Sequence, residues 1–340
     1  MRKEVLAVGC ALMVFCGCGK NNAAQHYESG WAAMGKKDYT TAVNEFQQVI
    51  DQNSRLAESY RAEGIAYYSE KAYPEAIAAF SRSLNNMDDP DKEFKKDVQF
   101  YLAQARMDYG EVDKAIEVYS EILKAGEDEQ AFFLRGKAYI SMEDYKNAEK
   151  DFQRALEGCE DYNLYINIYQ IYVDHNKAVD GDAYLKMALE LEPQDGEDCY
   201  HRGRIYEYEK NYEAARDELK TAMEQGYEDA MLLLGRVYLE MEDPASARSM
   251  YQEYLQKSEQ GAKAYNGLAM CDIYDGAYDS ALENIAQGLK ENSKEDEQGL
   301  LYNEIVAYEY KRDFATAKEK MKIYLEQYPE DEAALRENEF

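Results

Sequence analysis

The sequence predicts an all-α solenoid of about nine helix–turn–helix repeats spanning residues 23–330. The segments Tyr60–Leu84 and Phe133–Leu156 share one frame, in which Gly is followed by Tyr three residues on, Ala twelve on and Phe sixteen on. The frame recurs at a spacing of roughly 34 residues, and the repeats begin near residues 23, 57, 96, 129, 162, 196, 228, 262 and 298. Apolar residues recur at helical spacing within each repeat. Stacked helix pairs of this kind lengthen a chain without adding separate domains.

Small and aromatic residues occupy fixed positions in the frame. Gly at position 8 and Ala at position 20 are expected to let the two helices approach closely. An aromatic residue at position 24 is expected to fill the space toward the next repeat, as at Phe46, Phe80, Tyr119, Phe152 and Tyr251. Repeat five departs from the frame, because Tyr169 and Gly181 stand where Gly and Ala are expected. Its helix pair is therefore predicted to be looser or shifted.

The turns between helices contain the capping residues and prolines that are expected at helix starts. Asp38, Asp144 and Asn211 precede second helices, where a short polar side chain can cap the free backbone N–H groups. Pro74 and Pro244 fall at the start of second helices, where a missing N–H costs little. Residues 91–95 form an insertion between repeats two and three, and residues 331–340 are predicted to form a C-terminal cap or tail.

The pattern of aromatic, Leu-Gly, Tyr, Ala, Phe, Ala and Pro resembles the tetratricopeptide repeat (TPR), and the resemblance covers nearly all of the chain after its first residues. It implies a right-handed superhelix whose first helices line a concave face on which family members bind ligands. The helical period places positions 2, 5, 9, 12 and 13 of the first helix on that face.

Aromatic and basic residues stand at these positions and form the predicted groove. They are Phe100, Phe133, Tyr200 and Tyr302 at position 5, Lys137, Arg204 and Arg236 at position 9, and Tyr208, Tyr274 and Tyr310 at position 13. Aromatic and Arg side chains contribute strongly at interfaces, so the groove is expected to hold a peptide whose acidic group or chain terminus meets Arg204 and Arg236. Alternatively, the cations pair with neighbouring acids such as Glu207 and Glu240.

The first residues have the proportions of an export signal. Basic Arg2 and Lys3 precede a 14-residue apolar run, Val5–Cys18, which is shorter than the roughly 20 residues that span a bilayer. Phe15-Cys16-Gly17-Cys18 resembles the lipobox of bacterial lipoproteins. The resemblance implies a signal peptide over residues 1–17, lipidation of Cys18 and a tether over residues 18–22. The alternative is a simple secretory signal.

If the lipobox interpretation holds, the protein is exported to the bacterial cell envelope. It is then anchored by lipid to the outer face of the cytoplasmic membrane, or lies in the periplasm or at the outer membrane of a diderm.

Composition and motifs argue against nucleic-acid binding and against catalysis. With 39 Lys and Arg against 68 Asp and Glu, the formal charge is −29, which argues against a nucleic-acid partner. The three histidines form no metal-binding or catalytic spacing, and no nucleophile or phosphate-loop motif is present. The sequence therefore predicts a non-catalytic protein without cofactor or metal.

A monomeric, membrane-anchored scaffold that binds a protein or peptide in its groove is the function expected. A glycan-binding surface lipoprotein that uses groove tyrosines is the alternative.

Overall fold

The computed structural model describes residues 22–87, 91–258 and 260–337. These residues form helices joined by short turns and contain no β-strand. The predicted signal peptide and Cys18 lie outside the described residues. The helices are, in chain order, α1 (Asn22–Gly35), α2 (Tyr39–Asp51), α3 (Leu56–Ser69), α4 (Tyr73–Asn85), α5 (Lys92–Tyr109), α6 (Val112–Ala125), α7 (Glu129–Ser141), α8 (Tyr145–Ala155), α9 (Tyr162–Asp174), α10 (Ala178–Leu189), α11 (Gly196–Tyr208), α12 (Tyr212–Glu224), α13 (Ala230–Glu240), α14 (Pro244–Lys257), α15 (Ala262–Tyr274), α16 (Tyr278–Lys290), α17 (Glu297–Tyr310), α18 (Phe314–Gln327) and α19 (Glu332–Glu337).

Within the described residues the helices follow one another as nine pairs, α1–α2 to α17–α18, and the short α19 comes last. Consecutive helices pack against each other from α1 to α8 and from α11 to α19. The predicted all-α solenoid of about nine repeats is confirmed. The chain divides within α10 into two compact units, an N-terminal unit that ends at Ala183 and a C-terminal unit that begins at Tyr184.

Close contact within a pair depends on glycine facing a large side chain. A methyl carbon built on Gly136 would lie 2.6 Å from Cε1 of Phe152, and one built on Gly64 would lie 2.6 Å from Cε1 of Phe80. Both rings are fully buried. Their burial removes large apolar areas from water, and a side chain at either glycine would push the helices apart.

Repeat five makes the same kind of contact with the two partners exchanged. Its small residue is Gly181 on the second helix, and a methyl carbon built there would lie 3.1 Å from Cδ2 of Tyr169 and 3.0 Å from Cβ of Tyr172. The two departures from the frame thus compensate each other, since the large residue on α9 faces the small residue on α10.

The turn chemistry predicted from the sequence is confirmed. Asp38, Asp144 and Asn211 accept hydrogen bonds from the backbone N–H groups of Thr41, Asn147 and Ala214, respectively. Just before the second helix, each repeat has one residue in the left-handed backbone region: Lys37, Lys71, Gly110, Glu143, Asn176, Lys210, Glu242, Gly276 or Arg312. Seven of these nine residues are not glycine, so most turns adopt a conformation that disfavours an L side chain.

Polar residues at position 7 of the first helix differ among the repeats. In repeat four, Arg135 donates from Nε and Nη2 to both carboxylate oxygens of Asp151 (2.7 and 2.8 Å) and from Nη1 to Ser120 Oγ (2.9 Å). In repeat two the equivalent residue is Glu63, which is 3% exposed and whose Oε2 has no hydrogen-bond partner among the described residues. Burial raises the pKa of Glu63, and the charge of Arg82 opposes this in part.

Candidate ligand-binding groove

A cleft of about 780 Å³ lies in the C-terminal unit. Its walls come from first helices of successive repeats, because side chains three and four residues apart share a helix face. Tyr200 of α11, Arg236 of α13, Met270 of α15 and Gly299 of α17 all line it. The first helices therefore provide a shared surface, as the repeat pattern predicts.

An aromatic and cationic cluster stands on α11 and adjoins one end of the cleft through Tyr200, which lines it, whereas Arg204 and Tyr208 lie outside the lining. The guanidinium of Arg204 lies 5.9 Å from the ring centroid of Tyr200, and its Nη2 is 3.5 Å from the hydroxyl of Tyr208. Its Nη1 is 3.4 Å from Nδ1 of His201. Arg204 is half-buried, and no carboxylate of the described residues lies within ion-pair distance of it. A half-buried cation without a counter-ion is a site suited to an anionic group.

Tyr200 forms the floor at this end. Its ring packs on Tyr227, with the centroids 4.9 Å apart. Burial raises the pKa of Tyr200, while the nearby charges of Arg204 and Arg236 lower it. Burial also raises the pKa of Tyr227, to about 12. Both hydroxyls therefore stay protonated at neutral pH and can donate hydrogen bonds.

Arg236 is paired, unlike Arg204. Its Nη2 lies 3.0 Å from Oε2 of Glu207, which is an acid of the preceding repeat and not one within a helical turn of Arg236. The side chain of Arg236 nevertheless stays 53% exposed. It can reach a ligand in the cleft while Glu207 holds one of its nitrogens.

The opposite end of the cleft is lined by apolar and amide side chains and, beyond them, by acidic ones. Met270 is 41% exposed, and Asn266 Oδ1 accepts a hydrogen bond from Asn303 Nδ2 (2.7 Å). Lys263 Nζ lies 3.6 Å from a carboxylate oxygen of Glu295 and 4.0 Å from one of Asp296. The cleft thus runs from an end lined by Tyr200, Arg236 and Asp229 to an end where acids outnumber Lys263.

Three of the predicted groove residues lie in the N-terminal unit. The half-buried ring of Phe100 is 6.3 Å from that of Tyr119, and that of Phe133 is 6.1 Å from Phe152, so both also pack within their repeats. Lys137 is exposed on α7.

The remaining three predicted residues belong to repeats eight and nine and lie outside the cleft lining. Tyr302 is covered by the last helix, because its hydroxyl donates to Oε2 of Glu337 (2.5 Å) and its ring lies 5.7 Å from Tyr324. Tyr274 and Tyr310 are 54% and 61% exposed, and the ring of Tyr310 stacks on Tyr278 at 6.2 Å.

Sequence reasoning missed the central part of the cleft. Lys263, Asn266 and Met270 stand at positions 2, 5 and 9 of repeat eight, which belong to the predicted concave face. The prediction includes only Tyr274 from this repeat, because Asn266 and Met270 are neither aromatic nor basic. Lys263 stands at position 2, whereas the predicted residues stand at positions 5, 9 and 13.

No helix in the described ranges, 22–87, 91–258 and 260–337, has both the length and the apolar character to cross a bilayer. No group of His, Cys, Asp and Glu in these ranges has the arrangement of a metal site.

Sequence models described as tetratricopeptide repeat match residues 27–91, 129–161, 200–262 and 232–297, which together cover more than half of the chain. The chain therefore belongs to the tetratricopeptide repeat family, whose members are generally non-catalytic scaffolds for protein interactions. No curated protein matches the sequence.

Solved TPR structures are similar to the chain at low identity. YrrB, described as a TPR protein with an unusual peptide-binding site, is 26% identical; the match covers 56% of this chain and 98% of YrrB, with a TM-score of 0.36. A TPR protein from Parabacteroides merdae is 16% identical over 84% of this chain and 99% of its own, with a TM-score of 0.46. Yeast Tom70 is 15% identical over 90% of this chain and 78% of its own, with a TM-score of 0.47.

Proposed function

We propose that this protein is a lipid-anchored, non-catalytic scaffold that binds a peptide or protein partner in the groove of its C-terminal unit. The observation that carries the proposal is Arg204, a half-buried guanidinium between two tyrosines with no carboxylate within ion-pair distance among the described residues. In a chain of net charge −29, a cation that has no carboxylate partner among the described residues and that adjoins the cleft through Tyr200 is suited to an anionic ligand.

The ligand group that fits this end is a carboxylate, from either an acidic side chain or a free chain terminus. Guanidinium groups bind carboxylates through short, charge-assisted hydrogen bonds. Arg236 can add a second contact without losing Glu207, because only one of its nitrogens is held by that acid. The tyrosine hydroxyls and the Asn266 amide offer further polar contacts along the cleft, while Met270 and Leu232 offer apolar ones.

A selection from a peptide library displayed with free C-termini tests this proposal. Peptides that bind the full chain are expected to share an acidic residue or a required terminal carboxylate. Arg204→Gln should weaken their binding at least tenfold, since it removes the charge and keeps a polar side chain. Arg216→Gln is the matched control, because Arg216 lies on α12 outside the cleft and pairs with its neighbour Asp217. Peptides that bind both variants equally would contradict the groove assignment.

Anchoring at Cys18 is the second part of the proposal, and it rests on the lipobox-like segment alone. Cys18→Ser should abolish incorporation of a labelled fatty acid and move the chain from the membrane fraction to the soluble fraction. Cys16→Ser is the control, since Cys16 follows bulky Phe15 and fits the cleavage site less well. Loss of label in the Cys16 variant alone would reassign the modification, and label in neither wild type nor variant would favour a simple secretory signal.

The exposed tyrosines of repeats eight and nine keep glycan binding as a second candidate function. Tyr274 and Tyr310 present large solvent-facing rings, and such rings can stack on the apolar faces of sugars. Soluble oligosaccharides should then raise the melting temperature of the chain, because a ligand that binds only the folded state stabilises it. Tyr310→Ala should remove that shift, whereas Arg204→Gln should leave it unchanged.

A further inference from the structure

The insertion between repeats two and three is built into the fold as extra helix. α5 has 18 residues, whereas the other first helices have 11 to 14. Asp91 caps it by accepting a hydrogen bond from the Glu93 N–H. Phe94 is half-buried against the apolar core of repeats two and three, and the guanidinium of Arg61 lies 5.9 Å from its ring centroid. The added turn is therefore held in place.

This added turn presents lysines to a second cleft, of about 840 Å³, in the N-terminal unit. Lys92, Lys95 and Lys96 are spaced so that they share one helix face. Lys124, in the last turn of α6, lines the same cleft. Four lysines converge here in a chain that has 39 basic residues against 68 acidic ones.

Three of the four acids that line the cleft are ion-paired. Lys96 Nζ lies 3.0 Å from Glu93 and 3.2 Å from Asp128, and Glu127 pairs with Arg154. The fourth, Glu121, accepts a hydrogen bond from the neutral amide of Gln99 at 3.5 Å.

The other three lysines of the cleft are exposed and, unlike Lys96, have no ion pair within the described residues. These lysines are Lys92, Lys95 and Lys124. They are the cations available to a ligand.

We propose that this lysine cleft, formed by α5 and the end of α6, docks an acidic peptide segment of a partner protein. The volume accommodates several residues, and the exposed side chain of Ala125 lies beside the lysines in the lining. A peptide segment can enter the cleft and interact with the three lysines at short range. An anionic bilayer is a poorer occupant, because a charged plane also approaches the acidic surface around the cleft within the Debye length of about 10 Å.

Fluorescence anisotropy with a labelled decapeptide of alternating Glu and Ala tests the proposal, and the same peptide with Gln in place of Glu serves as the uncharged probe. The full chain should bind the Glu peptide and not the Gln peptide, and binding should weaken as salt is raised. The variant Lys92→Gln, Lys95→Gln, Lys124→Gln should bind the Glu peptide at least tenfold more weakly. A control variant with the same charge change, Lys36→Gln, Lys146→Gln, Lys150→Gln, should differ from wild type by less than twofold, since these exposed lysines lie outside the cleft.

Three results would overturn the proposal. The first is no binding of the Glu peptide by wild type, and the second is equal weakening in both triple variants, which would show a general charge effect. The third is binding to phosphatidylglycerol vesicles that is lost only in the cleft variant while the Glu peptide does not bind; the cleft would then be a membrane contact. Circular dichroism spectra that match among the three proteins exclude misfolding as the cause of any loss.

Discussion

Repeats two and four are alike in their apolar contact and different in their polar one. In both, a glycine at position 8 faces a buried Phe at position 24, with a built methyl carbon 2.6 Å from the ring in each case. At position 7, repeat four has Arg135 bound to both oxygens of Asp151, whereas repeat two has buried Glu63, one oxygen of which has no hydrogen-bond partner among the described residues.

The difference shows that the apolar contact defines the repeat, while the polar residues distinguish one repeat from another. A satisfied buried ion pair adds specificity, but removing one partner leaves a costly charge. An unsatisfied carboxylate weakens its own repeat. Four substitutions test this comparison, and all are read out by urea unfolding, from the largest expected change to the smallest.

Asp151→Ala should have the largest effect. It leaves the mostly buried guanidinium of Arg135 without its carboxylate and should lower the free energy of unfolding by about 3 kcal/mol. Asp217→Ala is the control, since Asp217 is exposed and pairs only with neighbouring Arg216, and such surface pairs contribute at most about 1 kcal/mol. Similar losses in the two variants would mean that the Arg135 pair is no more important than a surface pair.

Gly136→Ala should cause the second-largest change in the free energy of unfolding. The added methyl group would overlap the ring of Phe152, and overpacking of this kind lowers the free energy of unfolding by about 2 kcal/mol. Gly35→Ala is matched to it, because a methyl carbon built there meets no atom of the described residues within 4 Å apart from its chain neighbours and the nearby backbone of its own helix. That change should be neutral or stabilising, by up to about 1 kcal/mol. A neutral Gly136→Ala would show that the helices of repeat four can separate at little cost.

Glu63→Gln should stabilise the protein at neutral pH, by about 1 kcal/mol. Because burial raises the pKa of Glu63, the folded state favours the protonated form, and wild type loses stability as pH rises above the unfolded value of about 4.3. The advantage of the variant should therefore shrink as pH falls toward 4 and below. An advantage that is constant from pH 3.5 to pH 7 would contradict a titration effect.

Lys71→Gly should have the smallest effect. Lys71 has a φ of 62° in the turn before α4, and glycine there should raise the free energy of unfolding by about 0.5 to 1 kcal/mol. The same change at Lys150, within α8, should lower it by about 1 kcal/mol. Two changes of the same sign would argue against left-handed strain in the turn.

Much of the fold could be predicted because the same residue pattern recurs from repeat to repeat. Spacing, small residues and caps are local features, so the helix pairs and the caps Asp38, Asp144 and Asn211 followed from the sequence. Repeat five was harder, since Tyr169 and Gly181 were interpreted as two defects. Only the three-dimensional contact shows that the two residues compensate each other.

Of the ten groove residues predicted from the sequence, only Tyr200 and Arg236 line the cleft. Helical periodicity places Tyr200, Arg204 and Arg236 at equivalent faces of their helices. Periodicity does not show that Glu207 holds Arg236, or that Glu337 of α19 covers Tyr302, because these partners belong to other repeats or other elements. Long-range pairing of polar side chains depends on coordinates, not on spacing.

Two of the caps share a response to acid. Hydrogen bonds from Ser246 and Thr316 lower the pKa of the capping residues Asp243 and Asp313, respectively. Their contribution to stability is present above the unfolded value of about 3.9 and is lost as pH falls below it. Acidification should therefore weaken the starts of α14 and α18 within the same pH interval, so that two helices of different repeats lose their caps together.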